Sequence, residues 1–283
     1  MDVIAEQSRV SPGHVARGLV LSCHPVPTAG VTALSGLLAA GLGLTAGRVV
    51  LITLAVLTGQ LSIGWSNDRI DAGRDAMNAR SDKPAATGGV PLRVLTATAA
   101  AALVATVVTS LALDPYAAAA LLVLVAAGWA YNLGLKATVF SGATYAVGFG
   151  ALPMAPYLAR PGHPWPPWWV PVTGALLGIA AHFANVLPDL RADALTGVHG
   201  LPQRVGVRGS SIVIAATLAA ASVVIGIGSS RPIPLAVAVS AVGLGGAGLV
   251  AGLASRAPGS PTAFRLTVLL ALLDVAMILS LAR

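Results

Sequence analysis

Oxygen-bearing side chains recur at helical spacing in two segments of an otherwise apolar chain. The first segment carries Asn67, Asp68, Asp71 and Asp75, and the second carries Asn185, Asp189 and Asp193. On an α-helix, residues three or four positions apart lie on one face. Hard cations such as Mg²⁺ take oxygen ligands, usually one or two carboxylates together with substrate phosphates. The two segments therefore predict two carboxylate faces that meet across a cavity and hold Mg²⁺ ions, which in turn bind a diphosphate.

Basic side chains accompany these carboxylates and can neutralise the remaining charge of a diphosphate. They are Arg74, Arg80, Lys83, Lys136 and Arg191. The alternative is a pair of solvated loops whose aspartates pair with arginines at the surface. We favour a binding site, because an ordinary charged loop has no reason to repeat its carboxylate spacing after another helix on the same side.

The composition places the rest of the chain in a lipid bilayer. Of 283 residues, 56% are hydrophobic and only 10% are charged, against about 25% charged residues in a soluble domain. The net charge of +7 does not indicate nucleic acid binding, because the basic residues are scattered and form no stripe with aromatic residues. The single cysteine, Cys23, excludes an internal disulfide and a thiolate metal cluster.

Nine apolar stretches are each long enough, at about 20 residues, to cross a bilayer as a helix. They cover residues 28–45, 48–65, 94–113, 116–132, 139–159, 167–188, 209–228, 232–254 and 262–282. We predict an all-α integral membrane protein whose nine transmembrane helices bundle around a central cavity that opens near the cytoplasmic side. An N-terminal cytoplasmic or interfacial segment (1–27) precedes the transmembrane domain (28–283). The two aspartate-rich segments are predicted to be loops.

The distribution of Lys and Arg predicts the orientation. With the N-terminus in the cytoplasm, thirteen of the 17 basic residues fall in cytoplasmic segments and four fall on the other side. Cytoplasmic loops of membrane proteins carry this kind of excess. Four spans separate the two aspartate-rich loops, so both are expected on the cytoplasmic side of a multi-pass protein of the cell membrane.

The two segments resemble the signatures of the UbiA-type intramembrane prenyltransferases. The stretch "NDRIDAGRD" (67–75) is similar to the family's first signature, Asn-Asp-x-x-Asp-x-x-x-Asp. The stretch "DLRAD" (189–193) is similar to its second signature, Asp-x-x-x-Asp. Residues 82–90 and 196–206 resemble the segments that follow each signature. The resemblance covers nearly the whole chain, and the paired signatures are far more specific than either alone.

The resemblance implies an enzyme that moves an isoprenoid group from a polyprenyl diphosphate to an aromatic or lipid acceptor, with Mg²⁺ as cofactor. An allylic-cation-like transition state is implied as well. The aspartates of both signatures, with Asn67, would hold the metal and the diphosphate, and the catalytic candidates are Asp68, Asp71, Asp189 and Asp193. Tyr131 and Lys136 resemble the family's Tyr/Lys pair and, with Lys83, would bind the diphosphate.

Two positions depart from the family pattern. Arg191 stands where many members carry a further acid, so the second face has one carboxylate fewer. Either this weakens one metal site, or Arg191 contacts the phosphate itself. Lys83 stands where many members have arginine, so the charge is kept but the bidentate fork is lost. Asp274, near the middle of the last predicted helix, is a separate candidate because an intramembrane acid is functional by default.

Polar and aromatic residues within the predicted spans could line an acceptor pocket. These are Gln60, Trp65, Tyr145 and His182. The alternative for each is ordinary packing inside the bundle, and for His182 we expect packing.

Two other functions remain open at this point. A membrane terpene cyclase would keep the metal site but let the cation react with the donor's own double bonds. A solute transporter would place polar groups and broken helices near the bilayer midplane. The clusters here are predicted at the cytoplasmic ends of the spans, which makes the transporter the weakest of the three.

Overall fold

Helices account for all the regular structure in the described part of the chain. The computed structural model describes residues 11–78, 80–81, 83–190, 193, 197–229, 246 and 256, and no β-strand occurs among them. The helices with described bounds are α1 (Pro12–Ser22), α2 (Pro25–Gly41), α3 (Ala46–Met77), α4 (Leu92–Leu111), α5 (Pro115–Asn132), α6 (Ser141–Ala151), α7 (Met154–Leu158), α8 (Trp169–Val186) and α9 (Leu201–Gly228). Two 3₁₀ turns cover Leu135–Ala137 and Leu187–Asp189.

Five of these helical segments are long and apolar enough to cross a membrane. They are α3, α4, α5, α8 with the 3₁₀ turn that follows it, and α9. The prediction of an all-α membrane protein is therefore confirmed. The predicted spans at 232–254 and 262–282, together with Asp274 and Arg191, lie outside the described residues.

Proline determines where several predicted spans end or divide. The span predicted at 139–159 is two helices, α6 and α7, separated at Leu152 and Pro153. Proline has no backbone N–H and its ring clashes with the preceding turn, so a helix ends there. Pro188 acts in the same way, because α8 ends at Val186 and a 3₁₀ turn follows.

Small and hydroxylated residues hold the long helix α3 against its neighbours α4 and α5. Ser62 Oγ donates to the Ala99 carbonyl oxygen on α4 at 3.0 Å and accepts from Trp129 Nε1 on α5 at 3.0 Å. Gly59 brings α3 close to Val125 and Thr106, where a Cβ would meet Val125 Cγ2 at 2.7 Å. Such close approach and interhelical hydrogen bonding are the usual means of helix association in lipid.

A second apolar region joins α8 to α9. Phe183, Leu177 and Ala180 on α8 are buried against Ile214 and Leu218 on α9. These helices, with α2, α3, α5 and α6, surround the cavity described below.

Candidate active site

The first aspartate segment is helical and not a loop, which corrects the sequence prediction. α3 continues without interruption to Met77 and carries Asp68, Asp71 and Asp75 on its last turns. The segment is polar but contains no proline, and charge alone does not end a helix. All three carboxylates are buried, Asp68 completely, whereas Arg69 and Ile70 on the opposite side are exposed. The prediction that the three aspartates share one helix face is thus confirmed.

Asp68 pairs with a lysine from the segment after α3. Lys83 Nζ donates to Asp68 Oδ1 at 2.8 Å, and both side chains are largely buried. Burying two opposite charges together is favourable only when they are hydrogen-bonded to each other. The second oxygen, Asp68 Oδ2, is buried without a hydrogen-bond partner. A carboxylate oxygen left in this way can serve as a ligand.

Asp71 lies between two cations. Arg74 Nη2 is 2.9 Å from Asp71 Oδ2, and Lys136 Nζ donates to Asp71 Oδ1. Lys136 belongs to the 3₁₀ turn after α5, so this contact joins α5 to the end of α3. Burial lowers the pKa of the Lys136 ammonium below its ordinary value, and the Asp71 carboxylate opposes that shift.

The second aspartate segment, whose spacing predicted one helix face, is interrupted by a 3₁₀ turn at Pro188, where the proline predicted a break. Asn185 lies on α8, Asp189 closes the 3₁₀ turn, and Asp193 is a helical residue beyond it. Pro188 breaks the α-helical repeat, because it cannot donate the backbone hydrogen bond that would continue it.

The two aspartate segments nevertheless meet. Arg80 Nη1 donates to Asp189 Oδ1 at 2.9 Å across 109 residues of sequence. The charges of Arg74 and Asp71 also affect the pKa of the Asp193 carboxyl. Burial raises the pKa of the Asp193 carboxyl above its ordinary value, against the opposing effects of Arg74 and of a hydrogen bond from Gln203.

An apolar cavity of about 500 Å³ opens beside this charged cluster. Asn67 of α3, Asn185 of α8 and Tyr131 of α5 are among the polar residues that line it. On α5 its lining runs from Leu124 to Asn132, about 12 Å of helix. A hydrophobic ligand with one anionic end fits an apolar cavity that lies beside a charged cluster.

Only part of the predicted acceptor pocket lies on the cavity. Gln60 and Tyr145 line it. His182 is buried behind Tyr145, with ring centroids 4.8 Å apart, and its Nε2 lies 3.0 Å from Ser141 Oγ. Trp65 points elsewhere, since its Nε1 donates to the Leu19 carbonyl oxygen of α1 at 2.8 Å. Neither residue is among those that line the cavity, because each is committed to a packing contact.

Two residues of the site were missed by the sequence analysis. His24, between α1 and α2, lines the cavity and places Nε2 3.5 Å from Asp68 Oδ1. Gln203, near the start of α9, donates from Nε2 to Asp193 Oδ2 at 2.8 Å. Their only sequence signal is a polar residue beside the proline that opens a helix, and that signal is common at helix starts.

The residues present fit a Mg²⁺ ion that is completed by its substrate. Among the described residues, no three His, Cys, Asp or Glu side chains form a ready metal cluster. Mg²⁺ needs only one or two carboxylates when substrate phosphates supply further oxygen ligands. Asp68 Oδ2 is a buried oxygen without a partner, and Asp71 and Asp75 on the same helix face are buried carboxylates. The donor set therefore matches the ion's preference.

Comparison with solved structures gives the same fold over 93–94% of the chain. A UbiA homologue from Archaeoglobus fulgidus bound to DMAPP and Mg²⁺ shares 17% identity and a TM-score of 0.71, covering 93% of this chain and 98% of its own. The apo structure of a UbiA homologue from Aeropyrum pernix K1 shares 18% identity and a TM-score of 0.71, covering 94% and 98%. A digeranylgeranylglyceryl phosphate synthase shares 15% identity and a TM-score of 0.66, covering 94% and 97%.

The sequence itself identifies the class. The UbiA prenyltransferase family matches residues 29–274, which is most of the chain. No curated protein matches. The protein is a multi-pass membrane enzyme of the prenyltransferase class. It belongs to the UbiA prenyltransferase family.

Proposed function

We propose that the protein transfers an isoprenoid group from a polyprenyl diphosphate to an aromatic or lipid acceptor in a Mg²⁺-dependent reaction. The observation that carries this proposal is the position of the buried pairs Asp68–Lys83 and Asp71–Lys136 beside an apolar cavity. An anionic head and a long hydrocarbon tail need these two environments side by side. The A. fulgidus homologue bound to GPP and Mg²⁺ supports the same reading.

The oxygen ligands of the two segments would hold the metal ion. They are Asn67, Asp68, Asp71, Asp75, Asn185, Asp189 and Asp193. When bound, Mg²⁺ offsets the negative charge that develops on the diphosphate as it leaves. Lys83, Lys136, Arg74 and Arg80 supply further positive charge at the same place, and Tyr131 lines the cavity and is proposed as a further diphosphate contact. Arg191 is proposed as an additional diphosphate contact.

The side chains perform the chemistry through charge and exclusion of water. The bond between the first carbon of the prenyl group and the diphosphate oxygen breaks, and the electron pair leaves with the diphosphate. The cationic side chains stabilise that leaving group. The apolar wall formed by Leu124, Phe149 and Leu177 keeps water from the allylic cation. A carbon or oxygen of the acceptor then bonds to the same prenyl carbon and gives up a proton. We propose Gln60 and Tyr145 as acceptor contacts.

The topology proposed with this function has nine transmembrane helices in one domain, residues 28–283, after an N-terminal segment, residues 1–27. The N-terminus and the aspartate faces lie on the cytoplasmic side. The charged side chains gather beside the cavity at the last turns of α3, and no charged residue except His24 is among the described residues that line it, which disfavours a transporter with a charged site at the midplane.

The test is product analysis with purified protein in lipid nanodiscs. Donors of ten to fifty carbons are supplied with Mg²⁺, with and without a membrane-extract acceptor fraction, and products are identified by mass spectrometry. We expect prenylated acceptor only when Mg²⁺ and acceptor are both present, and none with Asp189→Asn. If donor alone gives a cyclic hydrocarbon or alcohol, the protein is a cyclase and the proposal of prenyl transfer is wrong. No consumption of any donor by folded protein would refute both.

A further inference from the structure

His24 holds a backbone conformation that residues other than glycine rarely adopt. Its φ of 53° and ψ of 69° lie in the left-handed region, where a Cβ is unfavourable. His163 is the other described non-glycine residue with a positive φ. Glycine occupies such positions at much lower cost. Strained residues persist where the surrounding structure fixes them, and they cluster at ligand sites.

Three contacts fix the backbone around His24. Thr28 Oγ1 donates to the Cys23 carbonyl oxygen at 2.7 Å. Gly64 on α3 lies so close that a Cβ would meet Cys23 Cα at 2.9 Å. Trp65 donates to the Leu19 carbonyl oxygen one turn earlier, which fastens α1 to α3. α1 therefore delivers residue 24 to the end of α3 that carries the carboxylates.

The imidazole of His24 lies beside the charged cluster, but its contacts there are long for hydrogen bonds. Nε2 lies 3.5 Å from Asp68 Oδ1 and 3.4 Å from Lys83 Nζ, while Lys83 and Asp68 are 2.8 Å apart. Distances near 3.5 Å are at the outer limit of a hydrogen bond. The His24 side chain is 41% exposed and lines the cavity mouth. An anionic oxygen entering the mouth can therefore accept from both His24 and Lys83.

We propose that His24 is a further donor-binding residue, whose imidazole donates from Nε2 to the diphosphate beside the Lys83 ammonium. The proposal rests on the proposed function, because it names a contact for the diphosphate of that reaction. Residue 24 lies outside both aspartate segments and outside the residues that match the family, 29–274. It adds α1 to the helices that build the site.

The chain offers a matched control at the opposite end of the bundle. His163 has a φ of 50° and places Nε2 3.8 Å from Asp114, far along α5 from Lys136. His163→Gly removes the same side chain and relieves the same kind of strain as His24→Gly. His24→Gln keeps a terminal amide near the position of Nε2 and tests rescue by a similar donor.

The measurement is isothermal titration of inorganic pyrophosphate with Mg²⁺ into the full-length protein, paired with donor kinetics. We expect His24→Gly to weaken pyrophosphate binding about tenfold or more, the effect of losing one hydrogen bond to a charged ligand, and to raise the donor KM. His163→Gly should bind as wild type, and His24→Gln should be intermediate. If His24→Gly does not fold, His24→Asn replaces it, because asparagine tolerates the left-handed region.

Three results would overturn the proposal. Unchanged pyrophosphate affinity in His24→Gly, with wild-type donor turnover, removes His24 and leaves the proposed function standing. An equal loss in His163→Gly makes the effect a general one of histidine removal. Wild-type protein that neither binds pyrophosphate nor consumes donor removes both the His24 proposal and the proposed function.

Discussion

Lys83 and Asp68 are fifteen residues apart in sequence, yet Lys83 Nζ lies 2.8 Å from Asp68 Oδ1. The contact folds the segment after α3 back onto the last turns of that helix. Lys83 and Asp68 are both largely buried, so each depends on the other for compensation of its charge. An ammonium group and a carboxylate thereby reach the mouth of the cavity together.

Asp68→Asn should lower turnover at least about a hundredfold, the scale found when one preorganised electrostatic group is lost. The substitution removes a carboxylate whose Oδ2 is without a partner and leaves Lys83 without its counter-ion. Donor consumption by purified protein measures the effect. Asp114→Asn is the matched control, because Asp114 pairs with Arg48 at the other end of the bundle. Full turnover by folded Asp68→Asn would contradict the site.

Lys136→Met should raise the donor KM about tenfold or more. Lys136 is a proposed diphosphate contact that lies against Asp71, and a lost hydrogen bond to a charged ligand is worth about 1.5–3 kcal/mol. Initial rates over a series of donor concentrations give the KM. Arg93→Met serves as the control, because Arg93 is an exposed cation at the start of α4. Equal shifts in both variants would point to surface charge instead of a local contact.

Ala127→Phe should block the cavity from within. Ala127 lines the cavity on α5, one helical turn before Tyr131. Displacing a bound substrate by about 1 Å can cost on the order of a hundredfold in rate. Long donors should lose more activity than short ones, as read by turnover across donor lengths. Val104→Phe adds the same ring to an exposed position of α4 and should leave the length profile unchanged. An equal loss of turnover at every donor length in both variants would contradict the assignment of this cavity as the binding site of the donor tail.

Ser62→Ala should destabilise the protein by about 1 kcal/mol without moving the donor KM. Ser62 Oγ joins α3 to Ala99 of α4 and to Trp129 of α5, and buried interhelical hydrogen bonds in membranes contribute about 0.6–1.7 kcal/mol. Thermal unfolding in detergent, followed by circular dichroism, provides the comparison. Thr109→Ala, whose hydroxyl bonds within its own helix, should change the midpoint less. A larger change in Thr109→Ala would show that the bridge is not what stabilises these helices.

The features that the sequence predicts correctly are those set by local periodicity. Asp68, Asp71 and Asp75 share a face because spacing alone determines position on an uninterrupted helix. The error was to read charge as a loop, when α3 simply continues beyond the apolar stretch to Met77. Pro153 shows the opposite case, since one proline divided a stretch that hydropathy alone treats as a single span.

The features that the sequence could not provide depend on distant contacts. Arg80 reaches Asp189 across 109 residues, and His24 reaches Lys83 across 59. Trp65 was a candidate for the acceptor pocket, but its indole N–H donates to the backbone of α1, and the packing of α1 against α3 is a tertiary contact. Hydropathy and spacing carry no information about which helix ends are neighbours.

The length of α3 has a consequence for how products would depart. Its 32 residues extend about 48 Å, well beyond the hydrocarbon thickness of about 30 Å. A single helix therefore reaches from the hydrocarbon interior to the water, with Gln60 toward the hydrocarbon and Asp75 toward the water. In the proposed reaction the released diphosphate dissolves in the aqueous phase, and the prenylated product remains in the lipid bilayer. Each product partitions into a different phase, and that separation itself opposes the reverse reaction.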